Sequence, residues 1–229
     1  MGLDQELAAE VHGILQSRWQ SRDGTVVPTP ESVRLSDNEG VNMNGTVLYA
    51  DIDGSTKMVD RFNPQFCAEV YKAYLHCAGK IIRSESGVIT AYDGDRVMAV
   101  YVGQSMHDRA VRSAMKITRA VQQTINPYIK SLRQAHFQLM QSIGIDTSRL
   151  FVVRTGVRGA NDLVWVGKAA NYAAKMSAIS EAPYHIFITQ EVYQGLGSTC
   201  THANGTNMWM YKDWSGMRIL KSNYIWNTL

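Results

Sequence analysis

Apolar residues recur along this chain at two spacings, and each spacing predicts a different kind of element. Where they fall three or four residues apart, the pattern predicts one face of an amphipathic helix. Near the N-terminus this stripe is formed by Leu7, Val11, Ile14, Leu15 and Trp19. Asn63-Pro64 is a typical helix start, and the segment from Ser105 to Asp108 resembles a capping box. The predicted helices cover residues 4–20, 63–84, a long segment from 105, 168–179 and 190–196.

Short apolar or alternating runs, bounded by Gly, Pro, Asn and Asp, predict the strands. They lie at about 46–52, 88–92, 96–101, 136–145, 150–155, 162–166, 185–189, 208–213 and 218–227. Strands and helices follow one another irregularly, and tight hairpins join several of the strands. This arrangement predicts an α+β fold, in which helices flank a mainly antiparallel central sheet.

The chain is expected to divide near residue 45. Residues 1–44 combine the first helix with a polar segment that contains Pro and Gly, and we interpret that segment as an arm lying on another surface, for example a partner subunit. Residues 45–229 hold the remaining elements and are long enough for one domain with a hydrophobic core.

Composition and charge argue against several classes of function. The net charge is +3 and the basic residues are scattered, so no nucleic-acid partner is expected. The chain lacks an apolar run long enough to span a membrane, and its acidic N-terminus lacks the apolar core of a signal peptide. Cys67, Cys77 and Cys200 are an odd number without zinc-site spacing, which indicates reduced thiols. A cytoplasmic protein is therefore expected.

Two aspartates stand where predicted strands meet solvent. Asp51 follows the apolar run at Val47, and Asp95 lies in an Asp-Gly-Asp turn between two strands. Each position alone is equally consistent with an ordinary turn residue. Together they can converge on one divalent cation, as metal-assisted chemistry on a nucleoside triphosphate requires. Gly54 lets the backbone turn sharply there and suits the approach of phosphate to the amide groups that follow.

A third polar element lies on the predicted helix after Gly167. Asn171 and Lys175 are four residues apart and therefore share one helix face. The small residues Ala170, Ala173 and Ala174 allow this helix to pack closely. Taken alone, the pair is also consistent with an ordinary solvated surface.

The three elements together resemble the catalytic domain of the class III nucleotidyl cyclases. The matching segments are Asp51 to Thr56, the Gly94-Asp95 hairpin and the helix start from Gly167 to Lys175. Their order and spacing match over about residues 45–227. The resemblance implies the class III cyclase fold, with its ferredoxin-like, palm-type core, and makes residues 45–229 the catalytic domain.

The resemblance also implies roles for individual residues. Asp51, Asp95 and the carbonyl of Ile52 would bind two Mn²⁺ or Mg²⁺ ions, and Asn171 would position the ribose. Lys175 replaces the family's usual Arg at the α-phosphate, which keeps the charge but loses the bidentate fork. The amides that would hold the triphosphate belong to Asp53, Gly54, Ser55 and Thr56. In the family, the metal residues and the Asn/Arg pair come from opposite subunits, so a homodimer with composite sites is implied.

Four basic residues are candidates for binding the terminal phosphates, and each is equally consistent with a surface charge. They are Arg149, Arg154, Arg218 and Lys221, of which Arg218 is taken as the substrate-binding candidate.

The base-reading positions of the resembled family are altered here. Ala91 and Val164 occupy the places of the polar residues that read purines, and neither side chain forms hydrogen bonds. Tyr49 lies on the same strand face as Asp51, where its ring would shorten the base pocket and its hydroxyl could donate to a pyrimidine. The alternative is that Tyr49 is a core residue.

These changes are similar to those of the pyrimidine cyclases in bacterial Pycsar anti-phage systems. That likeness implies conversion of UTP to cyclic UMP as an antiviral signal to a separate effector. Cytidylate cyclase and adenylate cyclase activities are the enzymatic alternatives, and a degenerate dimerisation module is the non-enzymatic one.

Overall fold

The computed structural model describes residues 2–35, 38–133 and 136–229. Residues 1, 36 and 37, which the sequence places in the N-terminal helix and arm, lie outside this range. The helices are α1 (Leu3–Gln16), α2 (Ser55–Arg61), α3 (Pro64–Ser84), α4 (Met106–Ala120), α5 (Asn126–Arg133), α6 (Lys168–Met176), α7 (Gln190–Gln194) and α8 (Ser198–Thr201). A π-helical turn, Val121–Ile125, joins α4 to α5.

The strands of the described residues form one large sheet and one small hairpin. They are β1 (Gln20–Asp23), β2 (Glu39–Asp53), β3 (Val88–Asp93), β4 (Arg96–Tyr101), β5 (Met140–Val157), β6 (Ala160–Val166), β7 (Ile186–Thr189), β8 (His202–Ala203), β9 (Thr206–Asn207), β10 (Met210–Trp214) and β11 (Met217–Ser222). The strand order is β10-β11-β7-β5-β2-β4-β3, with β1 beside β2 and β6 beside β5. Among these strands, β1–β2 and β5–β7 pair in parallel and the other pairs are antiparallel, which confirms the predicted α+β class.

Strand β2 lies in the middle of the sheet and separates two layers of packing. Leu48, Ala50 and Ile52 point to the side covered by α3 and α4. Val47 and Tyr49 point to the other side, where α6 packs against β5 and β2. This alternation follows from the pleat of the strand and positions α3 and α6 on opposite faces of the same strand end.

Three strand predictions differ from the structure in their extent. Strand β2 starts at Glu39 and is longer than the predicted 46–52. The two strands expected at 136–145 and 150–155 are one continuous strand, β5. The strand continues through the polar residue Asp146, whose carboxylate is buried and accepts a hydrogen bond of 2.6 Å from Thr189. The last strand ends at Ser222 rather than at 227.

The helix starts were predicted with mixed success. The Asn63 side chain accepts a hydrogen bond of 2.9 Å from the amide of Phe66, so the predicted N-cap of α3 is confirmed. The capping box at Ser105 was wrong, because Ser105 has a left-handed φ of 53° and its side chain does not cap α4. Asp108 instead accepts a hydrogen bond of 2.9 Å from the amide of Gly197.

Helix α1 ends at Gln16, because the chain becomes extended and enters β1 at Gln20. Its apolar stripe is exposed to solvent in the single chain: Leu7, Val11 and Ile14 are 48, 53 and 59% exposed.

Candidate active site

Asp51 lies near the end of central strand β2, beside the start of β4. The strand register pairs Ala50 with Val97, which places Asp51 level with the turn that precedes β4. Asp51 is partly buried, since β4 and β5 flank its strand on both sides.

Asp95 lies in the two-residue loop of the β3–β4 hairpin. Asp93 pairs with Arg96 across the hairpin, and Gly94 has the positive φ of 61° that such a loop requires at its first position. The Oδ2 atom of Asp95 is buried and lacks a hydrogen-bond partner among the described residues. The hairpin therefore carries one carboxylate oxygen inward, toward the end of β2.

The two carboxylates interact electrostatically. Burial and, secondarily, the nearby Asp95 carboxylate raise the pKa of Asp51 to about 6, and the Arg96 guanidinium opposes them. Two neighbouring carboxylates suit a divalent cation, because the cation would remove the repulsion between them. Within the described residues, no cluster of three or more Asp, Glu, His or Cys side chains could hold a metal ion. The remaining ligands would then be main-chain and substrate oxygens.

The segment after Asp51 forms a turn into a short helix that the sequence analysis did not predict. Ile52 is buried in the core, and Gly54 adopts a left-handed φ of 72° immediately before α2. Ser55 and Thr56 belong to the first turn of α2, whose amide groups have no partner within the helix. The Asp53 carboxylate accepts a hydrogen bond of 2.6 Å from the Ser180 hydroxyl, in the segment that follows α6.

Tyr49, Arg96 and Asp93 form a group beside Asp51. The Arg96 guanidinium lies 5.5 Å from the centre of the Tyr49 ring and donates a hydrogen bond of 2.7 Å to Asp93. Tyr49 is half-buried, and burial raises the pKa of its hydroxyl. The Tyr49 ring therefore lies between the hydrophobic core and the Arg96 guanidinium, next to Asp51.

The two apolar positions that replace purine readers are on different strands. Ala91 is exposed on β3, just after a bulge in its pairing with β4. Val164 is 42% exposed on β6, which pairs with the outer part of β5.

Asn171 and Lys175 are exposed on α6, as their spacing predicted. Across residues 2–35, 38–133 and 136–229, no protein hydrogen bond or ion pair engages either side chain. The helix approaches β5 very closely: a Cβ added at Gly144 would lie 2.1 Å from the carbonyl oxygen of Ala173. No interaction among the described residues joins Asn171 or Lys175 to Asp51 or Asp95 within the chain.

The four basic candidates have protein partners and lie apart from the carboxylates. Arg149 is 3.5 Å from Asp23, and Lys221 is ion-paired with Glu181. Arg154 donates a hydrogen bond of 2.7 Å to Asn161. Arg218 is exposed on the β10–β11 edge hairpin, 3.9 Å from Asp213 and 5.1 Å from the Tyr211 ring centre.

Sequence reasoning missed two tyrosines of α3 that lie near the carboxylates. Burial and then the Asp95 charge raise the pKa of Tyr71. Tyr74 is fully buried, and burial followed by the charges of Asp51 and Asp95 raises its pKa well above the ordinary value. The sequence analysis assigned no role to either tyrosine, although their spacing of three residues on one helix face was visible.

The comparisons with known proteins agree with this fold. The catalytic-domain model of the adenylate and guanylate cyclases matches residues 40–214. The chain therefore belongs to the adenylate and guanylate cyclase family, which confirms the class predicted from its three polar segments.

Two proteins that are similar to this chain over its full length are both named uridylate cyclase. A uridylate cyclase of Xanthomonas perforans is 45% identical over 230 residues, covering 99% of each chain. A uridylate cyclase of Burkholderia cepacia is 45% identical over 227 residues, covering 99% of this chain and 98% of the other.

Solved structures share the fold at lower identity. The guanylyl cyclase Cya2 has a TM-score of 0.69 at 21% identity, covering 82% of this chain and 95% of its own. The adenylyl cyclase CyaB of P. aeruginosa has a TM-score of 0.62 at 22% identity, covering 83% and 99%. These likenesses confirm the class III cyclase fold. In the part of the chain that the structure describes, every helix is too short or too polar to cross a membrane.

Proposed function

We propose that this protein is a uridylate cyclase, which converts UTP into 3′,5′-cyclic UMP and pyrophosphate. The observation that carries the proposal is the 45% identity, over essentially the whole chain, to two proteins named uridylate cyclase. The paired carboxylates at the end of β2 and in the β3–β4 hairpin support it, since a degenerate domain would not need to retain them.

Each residue of the site has a chemical task in this reaction. Asp51, Asp95 and the Ile52 carbonyl would hold two Mn²⁺ or Mg²⁺ ions. When bound, such ions stabilise negative charge on the triphosphate and favour ionisation of the attacking hydroxyl. The amides near Asp53 and Gly54 and at the start of α2 donate to phosphate oxygens, because they have no partners within the helix.

The cyclisation itself is an in-line displacement. The 3′-oxygen of the ribose forms a bond to the α-phosphorus as the bond to pyrophosphate breaks, and the 3′-proton is released to solvent. Asn171 orients the ribose for this attack, and Lys175 neutralises charge on the α-phosphate. Arg218 is the candidate for binding the terminal phosphates.

Selection of the base is assigned to the apolar positions and to Tyr49. Ala91 and Val164 offer no side-chain hydrogen bond to a purine, so the usual adenine and guanine contacts are lost. The Tyr49 ring is fixed by burial and by Arg96, and it lies on the face of β2 that also carries Asp51. A ring held in this way would shorten the base site and present its hydroxyl to a pyrimidine.

The active unit in this proposal is a homodimer with composite sites. Asn171 and Lys175 are exposed on α6, and the described interactions do not join them to the carboxylates of the same chain. A second subunit would bring its own α6 to the Asp51 and Asp95 of the first.

The product is proposed to act as an antiviral signal in the cytoplasm, on a separate effector that binds cyclic UMP. The resemblance to Pycsar cyclases supports this role. The measurement is survival of bacteria challenged with phage, when wild type or Asp95→Asn is expressed beside the effector.

The decisive experiment is to incubate the purified protein with each of the four nucleoside triphosphates and Mn²⁺, with Asp95→Asn as the inactive control. Mass spectrometry then identifies the products. Cyclic UMP as the main product supports the proposal. Cyclic CMP would make the protein a cytidylate cyclase, cyclic AMP would contradict the base assignment, and no product from any triphosphate would favour the non-enzymatic dimerisation module.

A further inference from the structure

Three buried polar atoms near the metal-binding candidates lack partners among the described residues. They are the hydroxyl oxygen of Tyr74, the Oδ2 atom of Asp95 and the Oγ atom of Ser142, which is paired with Asp51 across β2 and β5. Tyr74 is fully buried, so bulk water does not reach its hydroxyl. A buried polar group without a partner is costly, and in folded proteins it calls for a specific explanation.

Tyr74 packs among residues that are close in sequence to the two carboxylates. The side chain lies in the middle of α3, which packs against β3 and β4. It belongs to the same core cluster as Ala50 and Ile52, which flank Asp51, and Val97, which follows Asp95 by two residues. The charges of both aspartates act on the Tyr74 hydroxyl and raise its pKa, so both lie within electrostatic reach of it.

Tyr101 provides a comparison, because its hydroxyl is also buried in this core and has a purely structural hydrogen bond. Tyr101 is also fully buried in that cluster, but its hydroxyl donates a hydrogen bond of 2.8 Å to Ser113. An apolar ring would fill the place of Tyr74 equally well in the metal-free chain. The hydroxyl of Tyr74, unlike that of Tyr101, has no protein partner among the described residues.

We propose that Tyr74 is a positioning residue, whose hydroxyl donates a hydrogen bond to the Asp95 carboxylate, directly or through one buried water, when a divalent cation is bound. The proton donor is the neutral hydroxyl and the acceptor is the buried Oδ2 atom of Asp95, while Asp95 binds the cation through its other oxygen. Metal-binding carboxylates are usually held by such hydrogen bonds, and losing one weakens metal affinity by about 10- to 100-fold. This inference rests on the metal-binding role of Asp51 and Asp95 in the proposed function.

The test compares Tyr74→Phe with Tyr101→Phe, since both changes remove one hydroxyl from a fully buried ring. Binding of Mn²⁺ to the purified protein without nucleotide is measured by electron paramagnetic resonance of the free ion. Thermal unfolding without metal is measured in parallel. For Tyr74→Phe we expect an Mn²⁺ dissociation constant raised by about 10-fold or more, with an unfolding midpoint unchanged or higher because an unpaired hydroxyl is gone.

For Tyr101→Phe we expect the opposite pair of results. The Mn²⁺ affinity stays at the wild-type value, and the unfolding midpoint falls because Ser113 loses its buried partner. Unchanged Mn²⁺ affinity in Tyr74→Phe would overturn the proposal. Loss of folding in Tyr74→Phe would also overturn it, since it would show a structural role for the hydroxyl in the metal-free chain.

Asp95→Asn separates this inference from the proposed function. If Asp95→Asn binds Mn²⁺ like wild type, the metal site itself is wrongly assigned and both proposals fail. If Asp95→Asn loses Mn²⁺ but Tyr74→Phe keeps it, only the positioning role of Tyr74 fails.

Discussion

At the scale of single residues, the metal-binding assignment predicts a loss of activity without a loss of fold. In Asp51→Asn or Asp95→Asn, turnover should fall below detection, because one carboxylate cannot hold two divalent ions against their hydration shells. Stability should be kept or raised, since each change removes repulsion between the two carboxylates. Mass spectrometry of the products measures the activity of each variant, and thermal unfolding measures its stability. Asp60→Asn, on the exposed side of α2, is the control and should keep full activity.

The base assignment predicts distinct effects for two changes at Tyr49. Tyr49→Phe keeps the ring but removes the hydroxyl, so the rate with UTP should fall while ATP and GTP remain poor substrates. Tyr49→Ala should in addition admit purines to some degree, because an apolar pocket alone discriminates only about 10- to 200-fold. The measurement is kcat/KM for all four triphosphates.

Two outcomes would contradict this role for Tyr49. If Tyr49→Phe matches wild type with UTP, the tyrosine is a packing residue and main-chain groups near 91–93 and 162–164 become the candidate readers. If the wild-type protein prefers ATP, the base assignment is wrong even though the cyclase family remains.

At the scale of elements, the close approach of α6 to β5 controls where Asn171 and Lys175 lie. Gly144→Ala places a methyl group 2.1 Å from the Ala173 carbonyl oxygen and 2.7 Å from the Ser177 amide nitrogen. The backbone must move to relieve this overlap, so we expect a stability loss of about 1–3 kcal/mol and a fall in kcat as α6 shifts. Denaturant unfolding and steady-state kinetics are the measurements.

Gly13→Ala is the matched control for that change. A Cβ at Gly13, in helix α1, meets nothing within 4 Å among the described residues. The substitution should leave activity unchanged and favour the helix by up to about 1 kcal/mol. A Gly144→Ala protein as stable and active as this control would show that the α6–β5 approach is not critical.

The sequence correctly predicted those elements whose apolar periodicity is uninterrupted. It was wrong where tertiary contacts determine whether a segment is a strand, a helix or a loop. Helix α3 was predicted correctly because its Asn63 N-cap and the Pro64 that follows are local signals. Strand β5 was split in two because Asp146 reads as a loop residue, and only its hydrogen bond with Thr189 explains its burial. Helix α2 was missed because Gly54 indicates a turn and does not reveal the helix that follows.

The candidate site residues could be proposed from the sequence as motifs, since carboxylates at strand ends and polar pairs on a helix face have local signatures. Their roles remain predictions. Tyr74 and Arg96 could not be recognised in this way. Both acquire their place near Asp51 only when α3 and the β3–β4 hairpin pack against β2.

At the scale of the whole molecule, the residues of the proposed composite site lie on different elements of the chain. Asp51 lies near the end of β2 and Asp95 in the β3–β4 hairpin, whereas Asn171 and Lys175 face solvent on α6. The apolar stripe of α1 is also exposed, which agrees with an N-terminal arm that lies on a partner. These features favour assembly of two copies, with each site drawing residues from both.

Complementation between two inactive variants tests this assembly directly. Asp51→Ala lacks the metal site and Asn171→Ala lacks the ribose contact, so each homodimer should be inactive. When the two variants are mixed under conditions that exchange subunits, they should form heterodimers with one intact site. Half of the dimers are then heterodimers, and each carries one of the two possible sites. Statistical mixing should therefore restore about one quarter of the wild-type rate. Activity is measured after mixing, and heterodimers are quantified by native mass spectrometry. A double variant that carries both changes in one chain, mixed with wild type, is the control: its heterodimers have no intact composite site, so the rate should fall on exchange from about one half to about one quarter of wild type, whereas the rate of the two single variants should rise from zero. If heterodimers form and the mixture of single variants stays inactive, the carboxylates and α6 do not share a site across subunits.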